Sequence, residues 1–171
     1  DGSTGFHEAC VGGNLNVVQF LFQQGFDMNI GDNDGRTGFH EACSNGNLNI
    51  IRFLVEKGFD INASDNIEST GFHMACCEGK LNVVQFFIHQ GFDWNLGDND
   101  GRTGFFRACS EGNFNVVQLF LKQGYENINE RDVNGTTGLE TLIYERDDTL
   151  DDELIIPCIL LLIEAGAELD N

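Results

Sequence analysis

The sequence predicts an all-α solenoid in which short helix–turn–helix units stack side by side. Two observations lead to this fold class. The first is a threonine that recurs every 33 residues, at Thr4, Thr37, Thr70 and Thr103. The second is a glycine with the same spacing of 33, at Gly25, Gly58, Gly91 and Gly124. A fixed period of this length is typical of arrays in which each unit buries its apolar face only against its neighbours.

Five units fit this period within a single domain, 1–171. Their approximate boundaries are 2–31, 32–64, 65–97, 98–131 and 132–171. The fourth unit carries one extra residue in its closing turn, and the fifth is divergent, with an acidic insertion at 145–153.

The second unit shows the local signals most clearly. Its opening, Asp32-Asn33-Asp34-Gly35, has the residues that tight turns require. Thr37 is a helix N-cap candidate, and it predicts a first helix that runs to about Asn45 and is broken at Gly46. A second helix then places an apolar stripe on one face, formed by Ile51, Leu54 and Val55, and Gly58 suits its left-handed end.

These residues resemble the ankyrin repeat. The matching positions are Gly35-x-Thr37, His40-x-Ala42, Gly46, Ile50-Ile51, Leu54 and Gly58-x-Asp60-x-Asn62, and they recur through residue 131. The departures from the family pattern are regular: Gly38 stands for Pro, Phe39 for Leu, Cys43 for Ala, Asn47 for His and Phe59 for Ala. Because glycine at a helix start costs backbone entropy, Gly38 is expected to soften the first helix without changing the architecture.

The fifth unit departs most from the pattern. Glu140 stands in the His position, and the apolar segment 156–166 predicts a second helix with Pro157 at its first position. Because this helix is apolar nearly all round, we expect it to be covered. A further unit, the folded-back acidic insertion and a partner protein are three open alternatives.

Composition limits the class of partner. A net charge of -19 repels nucleic acid phosphates and anionic lipids, so no nucleic acid or membrane partner is expected. The charge favours a basic partner, or it merely keeps the solenoid in solution. The chain does not begin with Met, so we expect an excerpt or a processed product.

The cysteines predict free thiols. Four of the 6 cysteines occupy one repeated slot, and these are Cys10, Cys43, Cys76 and Cys109. A small apolar side chain at this position allows close helix packing, and a free cysteine serves as one. Reduced thiols in a reducing, cytoplasmic compartment are therefore expected.

Three kinds of chemical site have partial signals or none in this sequence. His40 and Cys43 lie three residues apart, a spacing that suits zinc, but Phe106 replaces the His in the fourth unit. The Asp32–Gly35 turn resembles a calcium loop, yet Ile30 stands at its first ligand position. Neither a nucleophile motif nor a phosphate loop is present. The sequence therefore predicts no enzyme, no metal site and no cofactor.

The resemblance implies that turn tips and the inner face of each first helix line a concave partner-binding groove. On this sequence the corresponding positions are Asn33, Asp34, Arg36, Ser44 and Asn45 in the second unit; Asn66, Ile67, Ser69, Met74, Cys77 and Glu78 in the third; and Asn99, Asp100, Arg102, Arg107, Ser110 and Glu111 in the fourth. The third unit is the most apolar, which predicts a groove with an apolar centre and an acidic rim. Trp94 is either an interface anchor or a packing residue between adjacent turns.

The resemblance also offers a modification site. Asn29, Asn62 and Asn95 match a turn position that is hydroxylated in some ankyrin proteins, although a hydrogen bond within the turn is the alternative role.

The predicted function is therefore the binding of another protein or peptide through the groove. The alternative is a regulatory or adaptor segment of a larger protein whose activity lies elsewhere. Enzymatic activity within these residues is disfavoured, because no unit carries a complete catalytic set.

Overall fold

A computed structural model describes residues 2–144 and 152–169 of the chain. Within these ranges the chain forms ten α-helices, arranged as five successive pairs. The helices are α1 (Gly5–Val11), α2 (Leu15–Gln23), α3 (Gly38–Asn45), α4 (Leu48–Glu56), α5 (Gly71–Cys77), α6 (Leu81–His89), α7 (Gly104–Ser110), α8 (Phe114–Lys122), α9 (Gly138–Tyr144) and α10 (Asp152–Glu164). The predicted all-α solenoid is confirmed.

The first helices of the pairs form one layer, because α1, α3, α5, α7 and α9 each pack against the next. The second helices form the other layer; α2, α4, α6 and α8 pack mainly against their own partners, whereas α10 packs more against α8 than against α9. Antiparallel bridges close the turns between units, as between Gly31 and Thr37. From the second unit onward each turn tip also bonds to the next; for example, the Asn66 N–H donates to the Asp34 carbonyl at 2.9 Å.

A pair of aromatic rings fills the core of each of the first four units. In the second unit Phe39 stacks on Phe59, with ring centroids 4.5 Å apart. Phe6 stacks on Phe26 and Phe105 on Tyr125 in the same way, and the Phe72 and Phe92 rings meet at a tilt of 35°. Phe39 and Phe59 are both departures from the family pattern, and together they form one contact. The fifth unit has Leu139 and Ala167 at these two positions, the residues of the family pattern.

The glycine at the start of each internal first helix lies against the preceding unit. A Cβ atom on Gly38 would come within 2.7 Å of the Phe6 ring and 2.8 Å of Cys10 Sγ. The same holds at Gly71, where a Cβ would lie 2.7 Å from Cys43 Sγ, and at Gly104. These distances are shorter than van der Waals contact allows. Glycine is therefore a packing requirement, because it admits the larger Phe and Cys of the preceding unit.

The repeated histidines tie each first helix to its turns. His40 Nδ1 accepts the Thr37 N–H at 3.1 Å and lies 2.9 Å from Thr37 Oγ1, while Nε2 lies 3.1 Å from the Ala63 carbonyl. Because a carbonyl only accepts, these partners assign the proton to Nε2. His73 has the same bonds to Thr70 and Leu96. Burial lowers the pKa of both His40 and His73, against smaller opposing effects of neighbouring groups.

Glutamates replace this histidine in the last two units. In the fourth, Glu130 Oε1 accepts the Phe106 N–H at 3.0 Å and the Thr103 hydroxyl, and Oε2 accepts the Tyr125 hydroxyl at 2.6 Å. In the fifth, Glu140 Oε2 accepts the Thr137 N–H at 2.8 Å, which completes a capping box. A histidine therefore bonds to the start of the first helix in the first three units, and a glutamate does so in the last two.

Asparagine joins successive units at the other end of the first helices. Asn47 Nδ2 donates to the carbonyls of Cys10 and Val11, at 2.7 and 3.0 Å. Asn113 makes the same pair of bonds to Cys76 and Cys77. These are carbonyls that the helix end leaves without an intrahelical partner. The departure from the family's His at this position therefore forms a link between units.

Helix α10 corrects one prediction. Pro157 is not at its first position but inside the helix, which begins at Asp152. The proline lies on the exposed side, while Ile155, Cys158 and Leu162 of the same helix are buried. Burial of these side chains stabilises the helix against the loss of about 3 kcal/mol that an internal proline brings.

The predicted apolar surface of α10 is uncovered in the described part of the chain. Ile156, Leu160 and Ile163 are 53%, 55% and 49% exposed and lie on one face. Most of the acidic insertion, 145–151, lies outside the described residues, so the three alternatives for what covers this face stay open.

Alanine at Gly38 is expected to lower the free energy of unfolding by about 1–3 kcal/mol, because its Cβ overpacks against Phe6 and Cys10. Gly5 is the matched control. It has no neighbouring heavy atom within 4 Å of a built Cβ, so Gly5→Ala should be neutral or stabilising by up to about 1 kcal/mol. Chemical denaturation measures both, and equal losses at the two sites would contradict the packing account.

The buried histidines should make stability fall as the pH drops. Because their folded-state pKa is lowered, His40 and His73 stay neutral in the fold while the unfolded chain takes up protons below about pH 6.5. Unfolding measured at about pH 7.5 and about pH 5.5 should show a smaller pH-dependent loss in His40→Gln than in the wild type.

His89→Gln, at an exposed position, is the control and should keep the full loss. Glu130 is present in all three proteins, so its raised pKa, which acts in the opposite direction, cancels in the comparison. An identical pH dependence in His40→Gln and the wild type would contradict a buried neutral His40.

Candidate partner-binding groove

The turn of the third unit presents Ile67 to the solvent. Buried Asp65 shapes this turn, since its Oδ1 accepts the N–H groups of Ile67 at 3.0 Å and Ser69 at 2.9 Å. The next turn fixes the tip, because the Asn99 N–H donates to the Ile67 carbonyl at 3.0 Å. The Ile67 side chain nevertheless stays 48% exposed, and the corresponding residues of the second and fourth units are Asp34 and Asp100.

Glu68 holds this tip in an unfavourable backbone conformation. Its φ is 59°, in the left-handed region, where the second and fourth units have Gly35 at 79° and Gly101 at 72°. A residue with a Cβ loses about 1–2 kcal/mol there relative to the right-handed region. The third turn thus differs from its neighbours in both side chain and strain.

Helix α5 supplies the wall next to this tip. Met74, Cys77 and Glu78 share one helix face, since they lie three and four residues apart. Burial, with a contribution from Glu111, raises the pKa of the Cys77 thiol to about 11. At neutral pH Cys77 is therefore an uncharged, weakly polar side chain next to Met74, not a nucleophile.

The tip and the wall enclose an open cavity of about 120 Å³. Nine residues line it: Arg36, Ser44, Ile67, Ser69, His73, Met74, Cys77, Glu78 and Arg107. All but His73 are among the predicted site residues, so the structure brings eight of them together around one cavity. His73 is not among the predicted site residues, although its position next to Met74 in α5 is a sequence signal that could have placed it at the cavity.

Arginines flank the cavity, and each has an aspartate partner. Arg36 Nε lies 3.6 Å from Asp65 Oδ2, and the Arg107 guanidinium pairs with Asp98, which accepts from Nε at 3.2 Å. Both aspartates are buried. The positive charges beside the cavity therefore compensate buried carboxylates of the turns and add little free positive charge to the groove.

Arg102 belongs to the same pattern one unit further along. Its Nη2 lies 3.0 Å from Asp132 Oδ2. Desolvation acts to raise the pKa of Asp132, but hydrogen bonds from the Thr136 N–H, from Arg102 and from Asn134 outweigh it and lower the pKa. The pairing links the turns of the fourth and fifth units.

The remaining predicted residues lie outside the cavity. The turn tips carry exposed Asn33, Asp34, Asn66, Asn99 and Asp100, whereas Asn45, Ser110 and Glu111 lie at the ends of first helices. Several of them stabilise the solenoid itself. Asn66 Nδ2 donates to the Asn33 carbonyl at 3.1 Å, and the Asn45 and Ser110 side chains donate to carbonyls of their own helices.

Trp94 is not in the groove. Its ring packs against Phe120 and Tyr125, at centroid distances of 5.8 and 6.0 Å, and it is half-buried between adjacent closing turns. These contacts fit packing between adjacent turns, and a role of Trp94 as an interface anchor stays a prediction. It borders a separate depression with Asn95 and Asn127.

The side chains of the two metal-site hypotheses have structural partners. Both ring nitrogens of His40 are within hydrogen-bond distance of protein groups. Asp32 Oδ1 accepts the N–H groups of Asp34 and Arg36, both at 2.9 Å, which shapes the turn. Among the residues that the structure describes, no group of three or more His, Cys, Asp or Glu side chains is placed to hold a metal ion.

The asparagines of the closing turns also serve the turn itself. Asn62 donates its N–H and its Nδ2 to Asp60 Oδ1, at 2.9 and 3.3 Å, and Asn29 and Asn95 make the same bonds. Hydroxylation of these side chains stays a prediction.

Comparison with protein families gives two matches. A model described as ankyrin repeats (3 copies) matches residues 1–65 and 72–171, nearly the whole chain. The chain belongs to the ankyrin-repeat family. A second model, ankyrin repeats (many copies), matches residues 47–88. A search of curated proteins finds no match to the chain. Ankyrin repeats are generally protein–protein interaction modules, and the family is typically non-enzymatic.

All six cysteines of this ankyrin chain are free thiols, and all except Cys77 are buried. None of the described helices is both long enough and apolar enough to span a bilayer.

Proposed function

We propose that this ankyrin-repeat chain binds a peptide segment of a partner protein, and that the cavity of the third unit receives an apolar side chain of that segment. The observation that carries the proposal is Ile67. A large apolar side chain is half-exposed at a strained tip, directly beside Met74 and Cys77, where the neighbouring units carry aspartate. An apolar side chain lodged there would exclude water from all three.

Charge supports a basic partner. The net charge of -19 attracts cationic segments, and the arginines near the cavity are occupied by Asp65 and Asp98. Six free thiols support a role in a reducing compartment, as in the cytoplasm.

A second candidate function is that of a regulatory or adaptor segment within a larger protein. It is favoured by the uncovered stripe of Ile156, Leu160 and Ile163 on α10. An apolar face of this kind marks an interaction surface, whether with another part of the same protein or with a separate one.

The test compares two double variants that add the same charge, Ile67→Lys/Met74→Lys in the groove and Ile156→Lys/Leu160→Lys on α10. Lysine at position 74 is expected to fold, because Glu41 and Arg107 occupy the equivalent position in neighbouring units. Circular dichroism checks this before proteins captured from lysate are compared by mass spectrometry.

Proteins captured by the wild type and the α10 variant should be lost from the groove variant by tenfold or more, since the lysines remove the apolar contact surface and repel a basic segment. Equal capture by the groove variant would contradict the proposal. Loss confined to the α10 variant would favour the second candidate.

A further inference from the structure

Two glutamates lie at the ends of neighbouring first helices, and one of them lines the cavity. Glu78 and Glu111 occupy equivalent positions, immediately after α5 and α7, and both are exposed. Glu78 lines the cavity itself. The equivalent residues of the first two units are Gly12 and Asn45, which are uncharged. The groove therefore has a local negative edge beside its apolar centre.

The position of these carboxylates is electrostatically unfavourable. The end of a helix carries a partial negative charge from its free carbonyl groups, and each glutamate adds a full one. Desolvation and the charge of Glu78 raise the pKa of Glu111, against an opposing effect of Arg107. The two side chains therefore repel each other.

No described residue neutralises the pair. Neither glutamate makes an ion pair or a side-chain hydrogen bond within the part of the chain that the structure describes. Arg107, whose charge acts on Glu111, is held by buried Asp98 through its Nε and Nη2 groups. A positive charge on a bound partner would therefore relieve the repulsion between the two glutamates. It would also interact favourably with the negative ends of both helices.

We propose that the segment bound in the groove carries a Lys or Arg beside its apolar anchor, with the apolar side chain against Ile67, Met74 and Cys77 and the cation between Glu78 and Glu111. This inference rests on the proposed function, because it specifies the partner of the same groove. Charge complementarity selects a basic peptide as the occupant.

The helix sets the spacing of the two contacts. Met74 of α5 and Glu78, the residue that follows the helix, are four residues apart, which is about 6 Å along the helix axis. In an extended segment, side chains on the same face repeat about every 7 Å, at alternate residues. The cation is therefore expected two residues before or after the apolar anchor.

A phage library of random peptides tests this without a known partner. The intact chain is the bait, and the best peptides are resynthesised for fluorescence anisotropy. We expect enriched sequences with Lys or Arg two residues from Leu, Ile, Met or Phe. Their affinity should fall about tenfold in Glu78→Gln/Glu111→Gln, and this fall should shrink in high salt, which screens exposed charges.

The matched control is Glu56→Gln/Glu164→Gln, which removes the same total charge at exposed glutamates on α4 and α10. It should change the affinity less than twofold. Equal losses of affinity in the two glutamine variants, or enriched peptides without a cation, would overturn the motif of an apolar anchor with a cation two residues away. The proposal that the groove binds a peptide would stand. Peptides that still bind Ile67→Lys/Met74→Lys, or no enrichment at all, would overturn the proposed function itself.

Discussion

The stack of helix pairs, which forms the frame of this solenoid, depends on the close approach of each first helix to the one before it. Glycine at the first position of the helix makes this approach possible, because a Cβ at Gly71 would overlap Cys43 Sγ. The space that glycine leaves is filled by the Phe and Cys of the preceding unit, and that Phe in turn stacks on the aromatic ring of its own closing turn. Four departures from the family pattern are therefore one packing solution, repeated from unit to unit. The fifth unit, with Leu139 and Ala167, uses the smaller pair of the family pattern.

The groove follows from this frame. Since the first helices are held at one spacing, and the turn tips are joined by backbone hydrogen bonds, side chains at equivalent positions form rows across the units. A substitution at one position of a row then changes the surface of the groove only locally. Isoleucine in place of aspartate at position 67 and methionine at position 74 place an apolar patch in a cavity that is otherwise lined by polar side chains, while the buried aspartates keep the flanking arginines paired.

The sequence predicts most of the frame and the place of the cavity, because both depend on positions that a period of 33 aligns. It does not predict Glu130 as the substitute for a histidine, since that contact depends on how one extra residue reshapes the closing turn. The predicted position of Pro157 is wrong for a related reason. Burial of Ile155 and Cys158 extends α10 before the proline, and local helix propensity does not include the free energy of that burial. Trp94 was ambiguous because packing against Phe120 and Tyr125 is visible only in three dimensions.

The most direct test of the packing account is a double-mutant cycle at the junction of the second and third units. The free energy of unfolding is measured for the wild type, Cys43→Ala, Gly71→Ala and the double variant. Because Cys43 Sγ occupies the space that a Cβ on residue 71 needs, Cys43→Ala should relieve part of the overpacking in Gly71→Ala. The account predicts that the double variant loses at least about 1 kcal/mol less than the sum of the single losses. Losses that add to within about 0.3–0.5 kcal/mol would contradict it, because the glycine and the cysteine would then act independently.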